Sequence, residues 1–309
     1  MQYRVMLDEF LLELRLQNFS KRTIDTYRHN NNQFINWYYE VNDKYPEITD
    51  IKKAHIKSFI IYSLDKGRKA SYINAILKGC RCFWNYVICE GVVEKSPMDG
   101  IKPLKVEKKV YVTFSDDEIR RILGVWNYDT FLSARNKAII SLMLDTGIRV
   151  SEVLKIRNED LTGSVLKIHG KGNKWRMVPI SSPLQYILIK YIRVRDSHFS
   201  KMRKRDGKER QSDDNLFLSK SGKALKTATN IELILKETGK RADVPLERVY
   251  PHNLRHYYAS YSLLKDQDVF TISKILGHSN IKTTSTYIQS ITDQQTLDKA
   301  VKTSPLNFL

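Results

Sequence analysis

The sequence predicts a mainly α protein of two domains, in which the second domain also carries a small β-hairpin or sheet. Through most of the chain, apolar residues recur with the period of an α-helix and follow capping residues. A segment near residue 170 instead alternates apolar and polar residues on both sides of a Gly-rich turn. A stretch near residue 100 is rich in Pro, Gly and Lys and shows neither period, so we expect a linker there.

The first 96 residues are predicted to form a bundle of four helices. The first of these covers residues 5–16, where Leu and Phe residues share one stripe. The other three are predicted to begin at residues whose side chains cap helix N-termini: Ser20, Asp50 and Ser71. The fourth helix, predicted to end at Cys89, would hold all three cysteines. They show no Cys-x-x-Cys spacing, so we expect neither a metal site nor a disulfide.

Residues 97–112 form the predicted linker, with the sequence PMDGIKPLKVEKKVYV. It separates a first domain of residues 1–96 from a second domain of residues 113–309. The second domain opens with a capping box, Ser115-x-x-Glu118.

Further helices and a hairpin follow the capping box. A helix over residues 134–145 is expected to end at Gly147, which places Arg149 at the start of the next helix. The sequence SVLKIHGKGNKWRMVPI, at 164–180, predicts two strands joined by a turn that contains Lys171.

Residues 193–210 hold eight Lys or Arg residues and three acidic residues, with little apolar content. This composition is typical of a solvated surface, and we expect an exposed, mobile loop. Contact with a DNA backbone is the alternative for this segment. A helix over residues 226–240 is predicted after it.

The segment 250–288 contains most of the candidate functional residues. Pro251 suits the first position of a helix, so His252 and Arg255 would share one face of its opening turn. Free backbone N–H groups and the helix dipole favour an anion at that position, which predicts a phosphate site.

A second helix in this segment is predicted to end at Gly277, with His278 in the connection that follows. Ser279 or Asn280 would start another helix, which carries Tyr287.

The charge of the chain favours a polyanionic partner, because its formal net charge is +18. Residues 1–100 hold 15 basic and 12 acidic residues, which leaves 37 and 22 for residues 101–309. Most of the positive charge is therefore in the second domain. The first residues lack the apolar core of a signal peptide, and no run is long enough for a membrane span, so we expect a soluble, cytoplasmic protein that does not bind membranes.

With the segments LDTGIRVSEVLKI at 144–156 and the hairpin at 164–180, the sequence closely resembles the tyrosine recombinase (phage integrase) family, in particular its Xer-like members. The resemblance spans nearly the whole chain. All positions of the active-site pattern of that family are filled here, by Arg149, Lys171, His252, Arg255, His278 and Tyr287.

The resemblance implies a C-shaped clamp around double-stranded DNA, built from a helical, SAM-like core-binding domain and a catalytic domain. It also implies cleavage and rejoining of DNA at specific sites through a 3′-phosphotyrosyl link to Tyr287. Arg149 and Arg255 would bind the phosphate, His252 would accept the tyrosine proton, and Lys171 would protonate the leaving oxygen. In the same pattern His278 would hydrogen-bond the phosphate and Glu152 would support the arginines.

Several alternatives remain at this stage. Lys174 is the rival of Lys171 as the general acid. A type IB topoisomerase-like enzyme or a non-catalytic DNA-binding protein would fit the same charge pattern, and a chromosome- or plasmid-dimer resolvase is the alternative to a mobile-element integrase. The histidines have no carboxylate or Cys partners at ligand spacing, so we expect no metal and no cofactor. The tail at about 291–309 is predicted to dock on a neighbouring protomer in a synaptic tetramer, the alternative being that it packs on its own domain.

Overall fold

The computed structural model describes residues 1–106, 113–170, 175–206, 213–278, Thr284 and Val301, with the backbone alone for residues 203–206. The chain divides into two compact units, Met1–Lys109 and Val110–Leu309. Within the described residues, no helix is both long enough and apolar enough to cross a membrane.

The first unit is a bundle of four helices. They are α1 (Tyr3–Leu16), α2 (Lys21–Asn42), α3 (Lys53–Asp65) and α4 (Ala70–Cys89). The core of the bundle is rich in fully buried aromatic side chains: Tyr3, Phe34, Phe59, Phe83 and Trp84. The three free cysteines all lie in α4, as the sequence predicts.

Of the three predicted helix caps, that of Ser20 is confirmed, because its hydroxyl accepts a hydrogen bond from the backbone N–H of Thr23. The prediction for Asp50 is wrong. Asp50 lies in a short 3₁₀ turn between the buried residues Ile48 and Ile51, and α3 begins only after this turn. The prediction for Ser71 is also wrong, because α4 already begins at Ala70 and Ser71 lies inside its first turn.

The second unit is mainly helical and contains one small sheet. Its helices are α5 (Asp116–Gly124), α6 (Phe131–Thr146), α7 (Val150–Val153), α8 (Ser182–Asp206), α9 (Ala228–Arg241), α10 (Pro251–Leu264) and α11 (Val269–Leu276). The strands β1 (Leu161–Thr162), β2 (Val165–His169) and β3 (Trp175–Pro179) form an antiparallel sheet in the order β1-β2-β3. α6 is buried along most of its length and packs against α8 and α10.

Most of the local features predicted for this unit, a capping box, a helix end and a hairpin, are confirmed. The capping box of α5 forms, with reciprocal hydrogen bonds between Ser115 and Glu118. α6 ends at Gly147, which adopts a left-handed conformation with φ of 60°. The predicted hairpin is β2 and β3, in which Ile168 pairs with Arg176. Strand β1 was not predicted, because two residues are too short to show an alternating pattern.

The mobile loop predicted for residues 193–210 is wrong over its described part, because α8 continues to Asp206. Four residues at helical spacing are buried on one stripe of α8: Leu184, Leu188, Tyr191 and Arg195. The guanidinium of Arg195 donates hydrogen bonds to Asn158 and to the carbonyl of Leu216. Arg195 can therefore occupy a buried position of the stripe because its guanidinium has two acceptors. The charge of the segment alone had indicated a solvated loop.

Candidate active site

Arg255 lies at the centre of a cluster in which the ends of α6, α10 and α11 meet. Pro251 occupies the first position of α10, as predicted, so Arg255 projects from the opening turns of that helix. Its guanidinium is buried and donates to the carbonyl of Gly147, at 2.8 Å, and to that of Leu276, at 2.7 Å. A Cβ at Gly147 would lie 2.6 Å from the ring of Tyr258, so this close approach also requires glycine.

Arg149 reaches the same cluster from the start of α7. Its guanidinium donates to Glu152 Oε1 at 3.1 Å and to the carbonyl of Leu276 at 3.3 Å, and it lies 3.5 Å from that of Gly277. Arg149 and Arg255 therefore share the Leu276 carbonyl as an acceptor. The side chain of Arg149 is 39% exposed, so part of its guanidinium faces solvent.

Glu152 is the buried carboxylate of this cluster. Its two oxygens accept hydrogen bonds from the two terminal nitrogens of Arg176, each at 2.8 Å, and one of them also accepts from the backbone N–H of Arg149. Burial alone would raise the pKa of Glu152, but the hydrogen bonds and charges of Arg176 and Arg149 outweigh it and lower that pKa. The carboxylate therefore stays ionised and balances part of the arginine charge.

His278 bridges the arginine cluster and the segment that precedes Tyr287. Its Nε2 lies 2.7 Å from Arg255 Nη2, and its Nδ1 lies 2.8 Å from Thr284 Oγ1. Because a guanidinium can only donate, Nε2 is the acceptor and the ring proton lies on Nδ1. Burial and the charges of Arg255, Arg149 and Arg176 lower the pKa of His278 to about 4, in agreement with a neutral ring.

Two more histidines lie one turn apart on α10. The rings of His252 and His256 have centroids 4.6 Å apart. Burial, with the charges of Arg255 and Arg149, lowers the pKa of His252. Burial, with smaller effects of His252 and Arg255, lowers that of His256 to about 4. Both rings are therefore neutral near pH 7.

The structure brings together four of the six site residues that the sequence singles out: Arg149, His252, Arg255 and His278. Lys171, its rival Lys174, and Tyr287 lie outside the described residues. The start of a helix at Ser279 or Asn280 lies outside them as well.

Three further residues belong to the cluster and were not anticipated: Arg176, His256 and Thr284. Arg176 follows Lys171 and Lys174 in the hairpin sequence, and its residue type alone does not distinguish it from these two lysines. His256 follows His252 by four residues, the spacing of side chains on one helical face. Thr284 precedes Tyr287 by three residues, which places both on one face wherever the intervening residues are helical.

Two guanidiniums that share the Leu276 carbonyl suit a phosphodiester in which charge develops on the non-bridging oxygens. Among the described residues, no group of three or more His, Cys, Asp or Glu side chains could hold a metal ion.

Comparison with known proteins identifies the family. The pattern of the "Phage integrase family" matches residues 113–294, and that of the "Phage integrase, N-terminal SAM-like domain" matches residues 6–92. "Tyrosine recombinase XerD" of Oceanobacillus iheyensis is 30% identical over 91% of this chain and 92% of its own length. "Tyrosine recombinase XerC" of Pseudomonas savastanoi pv. phaseolicola is 29% identical over 91% and 90%.

The fold is similar to that of a XerH site-specific recombinase, solved as a post-cleavage complex with a palindromic difH substrate. The TM-score is 0.69 at 21% identity, over 96% of this chain and 83% of that one. Fold, site and sequence thus define a phage integrase family protein, and the chain belongs to that family. Within it, the chain is a site-specific tyrosine recombinase of the Xer-like group.

Proposed function

We propose that the chain cleaves and rejoins double-stranded DNA through a 3′-phosphotyrosyl intermediate on Tyr287. The phenolic oxygen of Tyr287 bonds to the scissile phosphorus, and the bond from phosphorus to the 5′-oxygen breaks. The phenolic proton passes to His252, and Lys171 gives a proton to the departing oxygen. The 5′-hydroxyl of a second duplex then attacks the phosphotyrosine, which exchanges the strands and frees Tyr287.

The observation that carries this proposal is the convergence of Arg149, Arg255 and His278 on the turn that begins at Leu276. Three side chains from separate elements meet at this turn, and the family pattern assigns all three to the phosphate. Preorganised arginines of this kind stabilise the extra charge of the transition state, and losing one such donor typically costs about 10²- to 10³-fold in rate.

The neutral form of His252, which its lowered pKa favours, supports its role as the proton acceptor. A free phenol titrates near pH ~10, so a neutral base close to it is needed at pH 7. Arg255 and Arg149 help to keep His252 neutral while they bind the phosphate. The same two arginines would therefore bind the phosphate and keep His252 neutral.

We infer that the first domain, residues 1–96, binds the DNA backbone as well. Five of its basic residues are exposed on α2 and at or within α4: Lys21, Arg22, Arg28, Lys69 and Lys78. A hydrogen bond between His29 and Tyr72 joins the two helices near these residues. The proposed linker is residues 97–112 and the proposed catalytic domain is residues 113–309, and we place the action of the protein on DNA in the cytoplasm, at the nucleoid.

The biological role that we propose is integration of a mobile element. Its support is the strongly basic segment at residues 193–210, which is an addition to a compact resolvase pattern and whose described part extends α8 to Asp206. Dimer resolution remains the second candidate. The DNA sites themselves separate the two, because an integrase would act at the ends of its element and a resolvase at one site per replicon.

Tyr287→Phe tests the proposed chemistry. The Tyr287→Phe protein is first used to select DNA from a pool of randomised duplexes, and the retained DNA gives a consensus binding sequence. Duplexes with this sequence are then synthesised with a nick at successive positions. The 5′-labelled strand should become covalently bound to wild-type protein through its new 3′ end, because the short fragment that carries the 5′-hydroxyl diffuses away. Tyr287→Phe should bind equally well and form no adduct.

Tyr186→Phe is the matched control, since Tyr186 is an exposed tyrosine on α8, and it should form adduct at the wild-type rate. An adduct with the Tyr287→Phe protein would show that another residue is the nucleophile.

A further inference from the structure

Arg176, on β3, makes more hydrogen bonds within the site than its position in the hairpin suggests. Its side chain is 13% exposed. Nη1 and Nη2 donate to the two oxygens of Glu152, each at 2.8 Å, and Nε donates to the carbonyl of Ile275 at 2.7 Å. Three donors of one guanidinium thus join the hairpin to α7 and to the last turn of α11.

The contacts of Glu152 divide unequally between its two arginines. Arg176 holds both oxygens, whereas the guanidinium of Arg149 contacts one of them, at 3.1 Å. A bidentate arginine–carboxylate pair is the stronger of the two arrangements. Arg176 therefore supplies two of the three guanidinium hydrogen bonds to Glu152, and Arg149 keeps a partly exposed guanidinium.

Removal of Arg176 would leave Arg149 as the main cation beside a carboxylate whose side chain is only 5% exposed. A buried carboxylate without its partner is costly, so Glu152 would draw Arg149 into a closer pair. That shift would move Arg149 away from the phosphate.

The turn before His278 also depends on Arg176. Gly277 has φ of 66°, and a Cβ there would come within 3.0–3.1 Å of the guanidinium and Cδ of Arg176. The arginine is thus packed directly against the turn. Its bond to Ile275 holds the backbone three residues before His278.

We propose that Arg176 is a positioning residue of the active site, which occupies Glu152 so that Arg149 is free for the scissile phosphate and which fixes the turn that carries His278. The inference rests on the proposed function of Arg149 as a phosphate ligand. It assigns no contact between Arg176 and the substrate.

The first test compares Arg176→Met, Arg176→Lys and the control Arg120→Met, whose exposed side chain pairs with Asp117 on the surface of α5. Adduct formation on the nicked consensus duplex should fall about 10²-fold in Arg176→Met, because the phosphate loses much of its Arg149 contact. Arg176→Lys should recover only part of this loss, because a single ammonium cannot hold both oxygens in plane. Arg120→Met should match the wild type.

The second test adds Glu152→Gln to Arg176→Met. A neutral amide does not draw Arg149 as a carboxylate does, so the double variant should cleave faster than Arg176→Met alone. A purely structural role predicts the opposite, since a second substitution in the cluster would add to the damage. A double variant no faster than Arg176→Met would overturn the proposal.

A binding measurement separates this inference from the chemistry of Tyr287. In the Tyr287→Phe background, a neutral methylphosphonate replaces each phosphate of the consensus duplex in turn. The affinity for the unmodified duplex divided by that for the substituted duplex gives a ratio for each position. The phosphate that Arg149 contacts is the position at which Arg149→Ala removes the effect of the substitution. Arg176→Met should lower the ratio at that same position, and Glu152→Gln should restore it. If the wild-type protein forms no adduct, the proposed function fails while this ratio still tests Arg176. An unchanged ratio in Arg176→Met overturns the inference alone.

Discussion

At the scale of single residues, the histidines of the site make folding stability depend on pH. The pKa values of His256 and His278 are about 4 in the folded protein, against an ordinary value of 6.5. Between these values the unfolded chain binds more protons than the folded chain, so stability falls as the pH drops from about 6.5 towards 4. Each histidine contributes an uptake of up to one proton on unfolding.

His256→Gln tests this linkage, because glutamine does not titrate. Its free energy of unfolding should depend less steeply on pH than that of the wild type between pH 5 and pH 7, an interval above the range in which most carboxylates titrate. Chemical unfolding at several pH values measures both slopes. Parallel curves for the two proteins would show that His256 does not release its proton on folding.

Sequence reasoning identified the residues that a family pattern names, with Glu152 as a support of the arginines, and it missed Arg176, His256 and Thr284. His252 and Arg255 could be named because their spacing at the start of a helix predicts a phosphate site, and Arg149 and His278 because the family pattern includes them. Arg176 could not, because its role depends on Glu152 and on the Ile275 carbonyl, 24 and 99 residues away along the chain. Strand alternation predicts which face such a side chain occupies but not which partners the fold brings to it.

At the scale of elements, α8 shows where composition misleads. Its C-terminal half is strongly basic, yet Arg195 continues the buried stripe of its N-terminal half, which includes Leu188 and Tyr191. Caps such as Ser20 and the box at Ser115 and Glu118 were predictable because their hydrogen bonds are local. The start of α3 follows a turn between the buried residues Ile48 and Ile51, and the described part of 193–210 is helical where Arg195 is buried. Local sequence reveals neither burial.

Ser197→Pro tests whether this part of the chain is helical in solution. Ser197 is exposed within α8, so proline there would remove a backbone hydrogen bond and clash with the preceding turn. We expect the free energy of unfolding to fall by about 3 kcal/mol, while Ser197→Ala changes it by less than about 0.5 kcal/mol. Urea unfolding followed by circular dichroism measures both. If the proline variant is as stable as the alanine variant, the segment is a loop, as its composition suggested.

At the scale of the whole molecule, strand exchange sets requirements that one chain cannot meet. Two duplexes have four strands, so four protomers are needed if each cuts one strand. The two strands of one duplex must not be broken together, so only half of the protomers should be active at a time. Some contact between protomers must therefore couple the activity of one protomer to that of the next.

The C-terminal tail at about 291–309, which apart from Val301 lies outside the described residues, is our candidate for that contact. It carries apolar residues at helical spacing, among them Leu297, Ala300 and Val301, and ends in an apolar segment with Leu306, Phe308 and Leu309. A tail given by each protomer to the next makes a head-to-tail contact that can close a ring. Because the tail follows Tyr287 directly, its docking would also influence the position of the nucleophile.

Truncation after about Asp293 should therefore leave binding to a single site nearly normal while it abolishes the tetramer on two-site DNA and recombination. Cleavage should be altered rather than lost, because Arg149, His252, Arg255 and His278 are all retained. Mass measurement of the complexes on one-site and two-site DNA gives the assembly state, and a plasmid with two sites gives the recombination rate. The matched control is Thr303→Ala, which leaves the apolar positions of the tail intact and should recombine normally. If the truncated protein still forms a tetramer and recombines at the wild-type rate, the tail packs on its own domain and another surface must couple the protomers.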